Sequence, residues 1–393
     1  MRILHTSDWH IGKVLKGHSR MDEQKAVMAE IIEISDAAQV DLILIPGDLY
    51  DTAAPTPEAQ QLVVETLLAL AQTGARVIAM AGNHDNARTF DAYRPLMAAA
   101  KIELLGTPRG ATDGGVIEVI TRSGEGARVA ALPFLSQKYA VRAAQIVSGT
   151  AMDNTSRYDE VIRRMVGSLT DEFGDDTVNI LMAHLTVTNG QMGGGELAAH
   201  TIFEYHVPAQ AFPESAHYVA LGHLHRTQSL PAACPVHYCG SPIAIDFGEQ
   251  DNTRNVLLVE ATANTPAVVS PQTLAHGRVL RTITGTLDEL AGTADGLADC
   301  WLRVVLKEKS RAGLREQVQE LLPGTLELRI HPDFQASAVA TPSTTRQLTD
   351  RTPAQMFDAY LSEQGVEDPR LGSLFRELHD EYANNSGASD QAV

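Results

Sequence analysis

Short apolar runs that each end in side chains of the kind metals bind are the feature that most restricts how this chain can fold. VDLILI (40–45), ARVIAMA (75–81), VNILMA (178–183) and HYVAL (217–221) are nearly continuous in apolar residues, and RIL at 2–4 is a fifth such run. Strands covered on both faces of a sheet read this way. Directly after them come SDWH, PGDLYD, GNHD, HLT and GHLH. Layered α/β sheets gather ligands beyond the carboxyl ends of their strands, so loops carrying Asp, His and Asn after five strands predict one shared site. One such loop would be ordinary; five would be a costly coincidence in a structural protein.

Between the first strands lie helix-like segments, 21–38 with Val27, Ile31, Ile32 and Ile34, and 57–72 with Leu62, Val63, Leu67, Leu68 and Leu70. The alternation argues a layered α/β core. VIEVI (116–120) and ARVAAL (127–132), separated by TRSGEG, predict an added hairpin. Composition changes after about residue 265, and 275–332 reads strand–helix–strand through WLRVVL, LREQVQELL and LELRI. Thr352-Pro353 is a helix start, and beyond Pro369 an apolar stripe of Leu371, Leu374, Phe375, Leu378 and Tyr382 suits docking on a partner. These features divide the chain into 1–268 carrying the site, a small domain 269–340, partner-binding helices 341–383 and a disordered tail 384–393.

The 393 residues, 44% of them hydrophobic, suit two or three folded domains. A formal charge of −18 excludes a globally basic nucleic-acid coat, so any polyanion must be met locally. Cys234, Cys239 and Cys300 are too few for a disulfide framework and point to a reducing compartment. The opening MRILHTSDWH lacks the apolar core of an export signal, and no run is long enough to span a bilayer. The expectation is a soluble cytoplasmic protein without a membrane partner.

Asp8 and His10, two residues apart, leave the chain on the same side if the segment stays extended. Asp48 follows Pro46-Gly47, where glycine permits a sharp turn. With Asn83, His184, His223 and His225 they make seven candidate ligands, too many for one divalent ion that must also admit water and substrate. Two ions are implied, with Asp48 the natural bridge, because a carboxylate has two oxygens and an imidazole donates through one nitrogen. Imidazole, carboxylate and amide ligands without thiolate suit manganese, iron or zinc. Such a pair can activate water and stabilise both oxygens of an in-line displacement at phosphorus.

DWH (8–10), GDLYD (47–51), GNHD (82–85), the lone His184 and GHLH (222–225) resemble the five signatures of calcineurin-like metallophosphoesterases. The longer strings HTSDWHIGK, IPGDLYDTAAP, YVALGHLHRTQ and YCGSPIAIDF resemble, within that family, the nuclease subunits of bacterial DNA double-strand-break repair complexes, over essentially residues 1–250 and more weakly in the C-terminal helices. The resemblance implies an α/β layered sandwich with a small α+β capping domain that binds DNA, followed by C-terminal helices. It implies Asp8, His10, Asp48 and His225 on one metal and Asp48, Asn83, His184 and His223 on the other, the metals being manganese. His84 would give a proton to the leaving oxygen, and Asp85 would orient that ring or its loop. Some relatives carry histidine where Asp51 stands, so Asp51 is expected beside the ligands rather than among them. The implied protein is a homodimer in a heterotetramer with a coiled-coil ATPase, cutting duplex DNA from its ends and single strands or hairpins internally, near the nucleoid.

Outside the motifs, Lys13, Lys16 and Arg20 form a basic loop without acidic residues that could hold phosphates, and Arg226 beside GHLH is better placed for the same task. A solvated basic loop is the plainer reading of the first three. NGQMGGGE (189–196) reads as a mobile substrate loop or a flexible connection. CPVHYC (234–239) lacks the spacing and fourth ligand of a zinc site, so its cysteines are expected in the core. The ligand set alone cannot separate DNA from a cyclic nucleotide or another small phosphodiester. The extra domain and terminal helices favour DNA, and the intact ligand set with His84 disfavours a non-catalytic scaffold. No G-x-x-x-x-G-K-[ST] loop is present, so any ATP dependence must come from the partner.

Overall fold

A computed structural model describes residues 1–122, 124–136, 139–140, 142–144, 157–196 and 206–335, with the isolated positions 357, 360–362, 371–372 and 374–375. The chain divides into two compact units, Met1–Phe334 and Gln335–Val393.

Alternation within the buried strands builds the first unit. Along Leu42–Ile45, Leu42 and Leu44 join one apolar cluster while Ile43 and Ile45 join another, and Ile180/Met182 and Leu181/Ala183 divide in the same manner. Successive side chains of a strand point to opposite faces, so a sheet with both faces apolar must be covered on both. Two six-stranded sheets therefore share a central cluster that includes Ile3, Leu44, Ile78, Val129, Ile180 and Tyr218. The outer face of the first sheet carries the helices Met21–Ala37 and Pro57–Gln72, and that of the second carries Tyr158–Thr170. Thr56 caps the second of these helices by accepting from the Ala59 amide, with Pro57 at the first helical position where no donor is needed.

In the first sheet Arg2–His5, Leu42–Ile45, Arg76–Met80 and Ile102–Leu105 run parallel, with Asn255–Thr262 antiparallel beside the first. In the second, Gly126–Leu132, Val178–His184 and Tyr218–Gly222 run parallel. The expected hairpin Val116–Ile120/Gly126–Leu132 forms one edge of this sheet, its second strand pairing with Val178–His184. Sequence reading missed the helices Ala87–Ala98 and Tyr158–Thr170. The first buries only Phe90 and Met97 and contains Pro95, which blurs its periodicity.

Beyond Asn255–Thr262 and Thr265–Thr273, a smaller sheet forms from Val279–Gly285, Cys300–Leu306 and Thr325–Ile330, all parallel, with Leu287–Ala291 and Leu314–Leu321 as crossovers. Its first strand was not found from sequence. Leu280, Trp301 and Leu326 pack with Leu15, Ala244 and Phe247, seating this sheet on the ribbon that follows the first motif. Trp301 Nε1 donates to Glu23 Oε1 at 2.7 Å and the Arg278 guanidinium lies 4.3 Å over its ring.

In the second unit, Phe357 and Phe375 stack at 4.3 Å, while Leu371 and Leu374 are exposed. Leu378, Tyr382, the helix start at Thr352-Pro353 and the tail 384–393 lie outside the described residues.

Candidate metal centre

The loops after Arg2–His5, Leu42–Ile45, Arg76–Met80, Val178–His184 and Tyr218–Gly222 meet at the same rim of the sandwich. Three groups of ligand atoms each lie within 4.8 Å of one another: Asp8, His10 and His225; His10, Asp48 and His84; Asp48, His184 and His223. Asp48 stands between the outer groups, with Oδ2 3.4 Å from His184 Nε2 and 3.8 Å from His10 Nε2. Asn83 Oδ1 lies 2.9 Å from both His184 Nε2 and His223 Nδ1. All seven candidate ligands are brought together.

The backbone reaches this arrangement through left-handed conformations that non-glycine residues rarely adopt, with φ of 54° at Asp8, 47° at His10, 53° at Asp48 and 103° at His223. The segment 8–10 is therefore kinked rather than extended, which corrects the basis on which Asp8 and His10 were paired. Backbone bonds hold the kink: His10 and Ile11 amides donate to Asp48 and Leu49 carbonyls, and Gln24 Nε2 donates to the His10 carbonyl at 2.7 Å. Gly47 and Gly82 are required for close approach, since a Cβ on the first would overlap His184 and on the second Asp48.

The donor set fits divalent cations. His184 Nδ1 donates to the Pro46 carbonyl at 2.7 Å and His225 Nδ1 to Glu249 Oε1 at 2.6 Å, so in each neutral ring Nε2 keeps its lone pair. Those lone pairs face the Oδ1 of Asn83 and, 3.2 Å away, the Nε2 of His10. Lone pairs in opposition repel unless a proton or a cation lies between them. Without metal the cluster answers with protons: against the cost of burial, Asp48 lifts His184 to about 9 and Glu249 lifts His225 to about 9. Burial lowers His10 to about 4 and raises Asp8 to about 6, while Asp48 is held well below the ordinary carboxylate range, despite its burial, chiefly by His184. A cation would displace the histidine protons.

His84 is half-buried, its amide donating to Asp48 Oδ1 at 2.8 Å and its Nδ1 to the Asp51 carbonyl at 2.7 Å. Asp85 accepts from the amides of Leu49, Tyr50 and Gly82, lashing the two motif loops together without touching the His84 ring. Of its two expected roles, the contacts match orienting the loop. The Asp51 carboxylate takes Lys13 Nζ at 3.1 Å and lies 3.5 Å from His10 Nδ1.

The basic loop divides. Arg20 is buried, Nε and a terminal nitrogen donating to Glu23 at 2.6 and 2.9 Å and the other to the Ala244 carbonyl, so it is withdrawn from substrate, contrary to expectation. Lys16 points to Glu327 of the small sheet, 3.6 Å away. Arg226 is exposed. In the glycine-rich stretch Asn189, Gln191, Met192 and Gly194 are exposed and Gly193 is buried, and Glu196 accepts from the amides of Gly193, Gly194 and His225. Cys234 and Cys239 are buried in apolar clusters.

Sequence reasoning missed Glu249, Glu196, Ser241, whose hydroxyl donates to the Asp8 carbonyl at 2.7 Å, and Phe134, whose ring stacks 6.3 Å from His223. Ser241, in the GSP that follows the histidine motif, and Glu196, at the end of NGQMGGGE, lie within segments that the sequence singles out.

The pattern of the calcineurin-like phosphoesterase family matches residues 1–227. The chain belongs to that family. A second pattern, described as the Type 5 capsule protein repressor C-terminal domain, matches residues 277–365. Similar family members include the SbcD subunit of the nuclease SbcCD from Bacillus subtilis (strain 168), 34% identical over 339 residues, which are 84% of this chain and 85% of that protein. The SbcD of Rhodobacter capsulatus is 33% identical over 311 residues, 76% of each chain. That of Escherichia coli (strain K12) is 32% identical over 275 residues, 66% of this chain and 64% of that protein. Among the described residues no helix is long and apolar enough to cross a membrane.

Proposed function

We propose that this phosphoesterase is the DNA-cleaving subunit of an ATP-dependent repair nuclease, hydrolysing phosphodiester bonds with two divalent cations, manganese foremost. The observation that carries the reading is His84, held beside the shared Asp48 by its own amide and by the Asp51 carbonyl. The relatives named as SbcD subunits of the nuclease SbcCD support the choice of DNA over a small phosphodiester.

Asp8, His10, Asp48 and His225 would hold one cation, and Asp48, Asn83, His184 and His223 the other. Bound there, the pair would polarise the phosphate and activate water for in-line attack. With Nδ1 donating to Asp51, His84 keeps Nε2 for the leaving oxygen, to which its protonated ring gives a proton. Asp85 keeps the loops of Asp48 and His84 in register. Lys13 and Arg226 meet flanking phosphates and supply a local positive field on a chain of net charge −18.

Residues 1–268 form the nuclease domain, 269–340 a cap that contacts DNA, and 341–383 the helices that dock on an SbcC-like coiled-coil ATPase, in a heterotetramer built on a homodimer of this chain. Leu371, Leu374, Phe375, Leu378 and Tyr382 make the docking stripe. The complex acts in the cytoplasm, at the nucleoid.

The test is incubation of purified protein with manganese and linear or hairpin DNA, beside a chromogenic small phosphodiester. Cleavage of DNA that stops on chelation is expected, and turnover of the small ester alone would sink the nuclease reading.

A further inference from the structure

The turn Phe247–Glu249 lies between the metal centre and the small domain, with Glu249 two residues beyond YCGSPIAIDF. Glu249 is 1% exposed; besides taking His225 Nδ1 on Oε1, it accepts the Ile245 amide on Oε2 at 2.8 Å. Both carboxylate oxygens are thus engaged, and the group has one place to be. From the small domain, the Arg303 guanidinium covers the Phe247 ring at 4.6 Å and the Thr282 amide donates to Gln250 Oε1 at 2.8 Å. The triple glycine closes another side: a Cβ on Gly195 would overlap Glu249 Oε1, and one on Gly193 would lie 2.8 Å from the Cβ of His225.

We propose that Glu249 is a positioning residue that holds His225 with Nδ1 protonated and Nε2 open to metal, so that the site shared with Asp8 and His10 binds its cation tightly only while this turn is seated. The inference rests on the two-cation reading above. A neutral imidazole carries a single ring proton, and a carboxylate at Nδ1 fixes which nitrogen has it; removing such a partner typically costs 10- to 100-fold in metal affinity. A glutamine here cannot satisfy both neighbours. The Ile245 amide needs an acceptor, so the carboxamide oxygen turns to it and the NH₂ faces Nδ1, favouring the tautomer with a proton on Nε2. Gly195 is then a packing requirement against Glu249, as Gly193 is against His225 and Gly194 against the Gly248 backbone.

The experiment is Mn²⁺ titration calorimetry on the full chain, with Glu249→Gln and Gly195→Ala, alongside ¹⁵N spectra of the histidine rings. Wild type should take up two cations. Glu249→Gln should weaken one binding event about 10- to 100-fold and leave the other within about two-fold, and Gly195→Ala should weaken the same event. The ring spectra of metal-free wild type, taken at alkaline pH where the imidazole is neutral, should place the single His225 proton on Nδ1. Wild-type affinities in both variants, or an unprotonated Nδ1, would overturn the proposal. So would loss of both events together with a lowered melting temperature, which would make Glu249 a folding residue. If wild type itself takes up one cation, the two-cation reading fails instead, and the His225 spectrum still decides the role of Glu249.

Discussion

The Nδ1 of His84 donates to the backbone carbonyl of Asp51 at 2.7 Å, although the carboxylate of Asp85 is its neighbour in sequence. A carbonyl can only accept, so the ring's orientation is set by the main chain of the second motif loop. Replacing His84 by Ala should therefore leave the ligand loops intact and both cations bound, while hydrolysis falls about 100- to 10,000-fold. Calorimetry and DNA cleavage on the same preparation check this; joint loss of metal and activity would make His84 a ligand.

Asp48 stands within reach of ligands from both outer groups. Asp48→Ala should thus reduce uptake of both cations. Elemental analysis after dialysis against manganese measures it, and wild-type stoichiometry in that variant would contradict a shared aspartate.

Lys13 and Arg20 share a loop but should respond differently. Arg20→Ala breaks a buried pair with Glu23 and should lower stability by about 3 kcal/mol. Lys13→Ala should leave the melting temperature near that of wild type and lower the salt dependence of DNA binding by about one counterion. Thermal melts and binding isotherms at several salt concentrations separate the two, and equal melting temperatures for both variants would refute the assignment.

His5 is fully buried, accepting from the Tyr218 hydroxyl on Nδ1 and donating from Nε2 to the Leu221 carbonyl, and burial lowers its pKa to about 3. Between the ordinary value of about 6.5 and 3, the unfolded chain binds a proton that the folded one refuses. Its contribution to stability is therefore complete above pH 6.5 and falls as the pH drops toward 3. His5→Gln should cost about 1–3 kcal/mol at neutral pH and flatten the acid limb. Urea unfolding from pH 7 to pH 3.5 reads both, and an unchanged acid slope would argue against a buried neutral ring.

Deleting residues 350–383 should spare manganese-dependent cleavage of single-stranded DNA and abolish association with a coiled-coil ATPase partner. Co-purification unchanged by the deletion would refute the docking role of these helices.

Sequence alone determined the layers and the ligand types. Nearly continuous apolar runs such as VNILMA read as strands covered on both faces, and GHLH and GNHD carry their chemistry within a few residues, so both are legible one segment at a time. Which atom faces which was decided by tertiary structure. The left-handed backbone at Asp8 and His10, the burial of Arg20 under Ala244, and the grip of Glu249 on His225 arise where separate loops cross. A hydrogen bond is specified by direction and distance at once, and between groups far apart in the chain only the packing of the two sheets and the small domain supplies both.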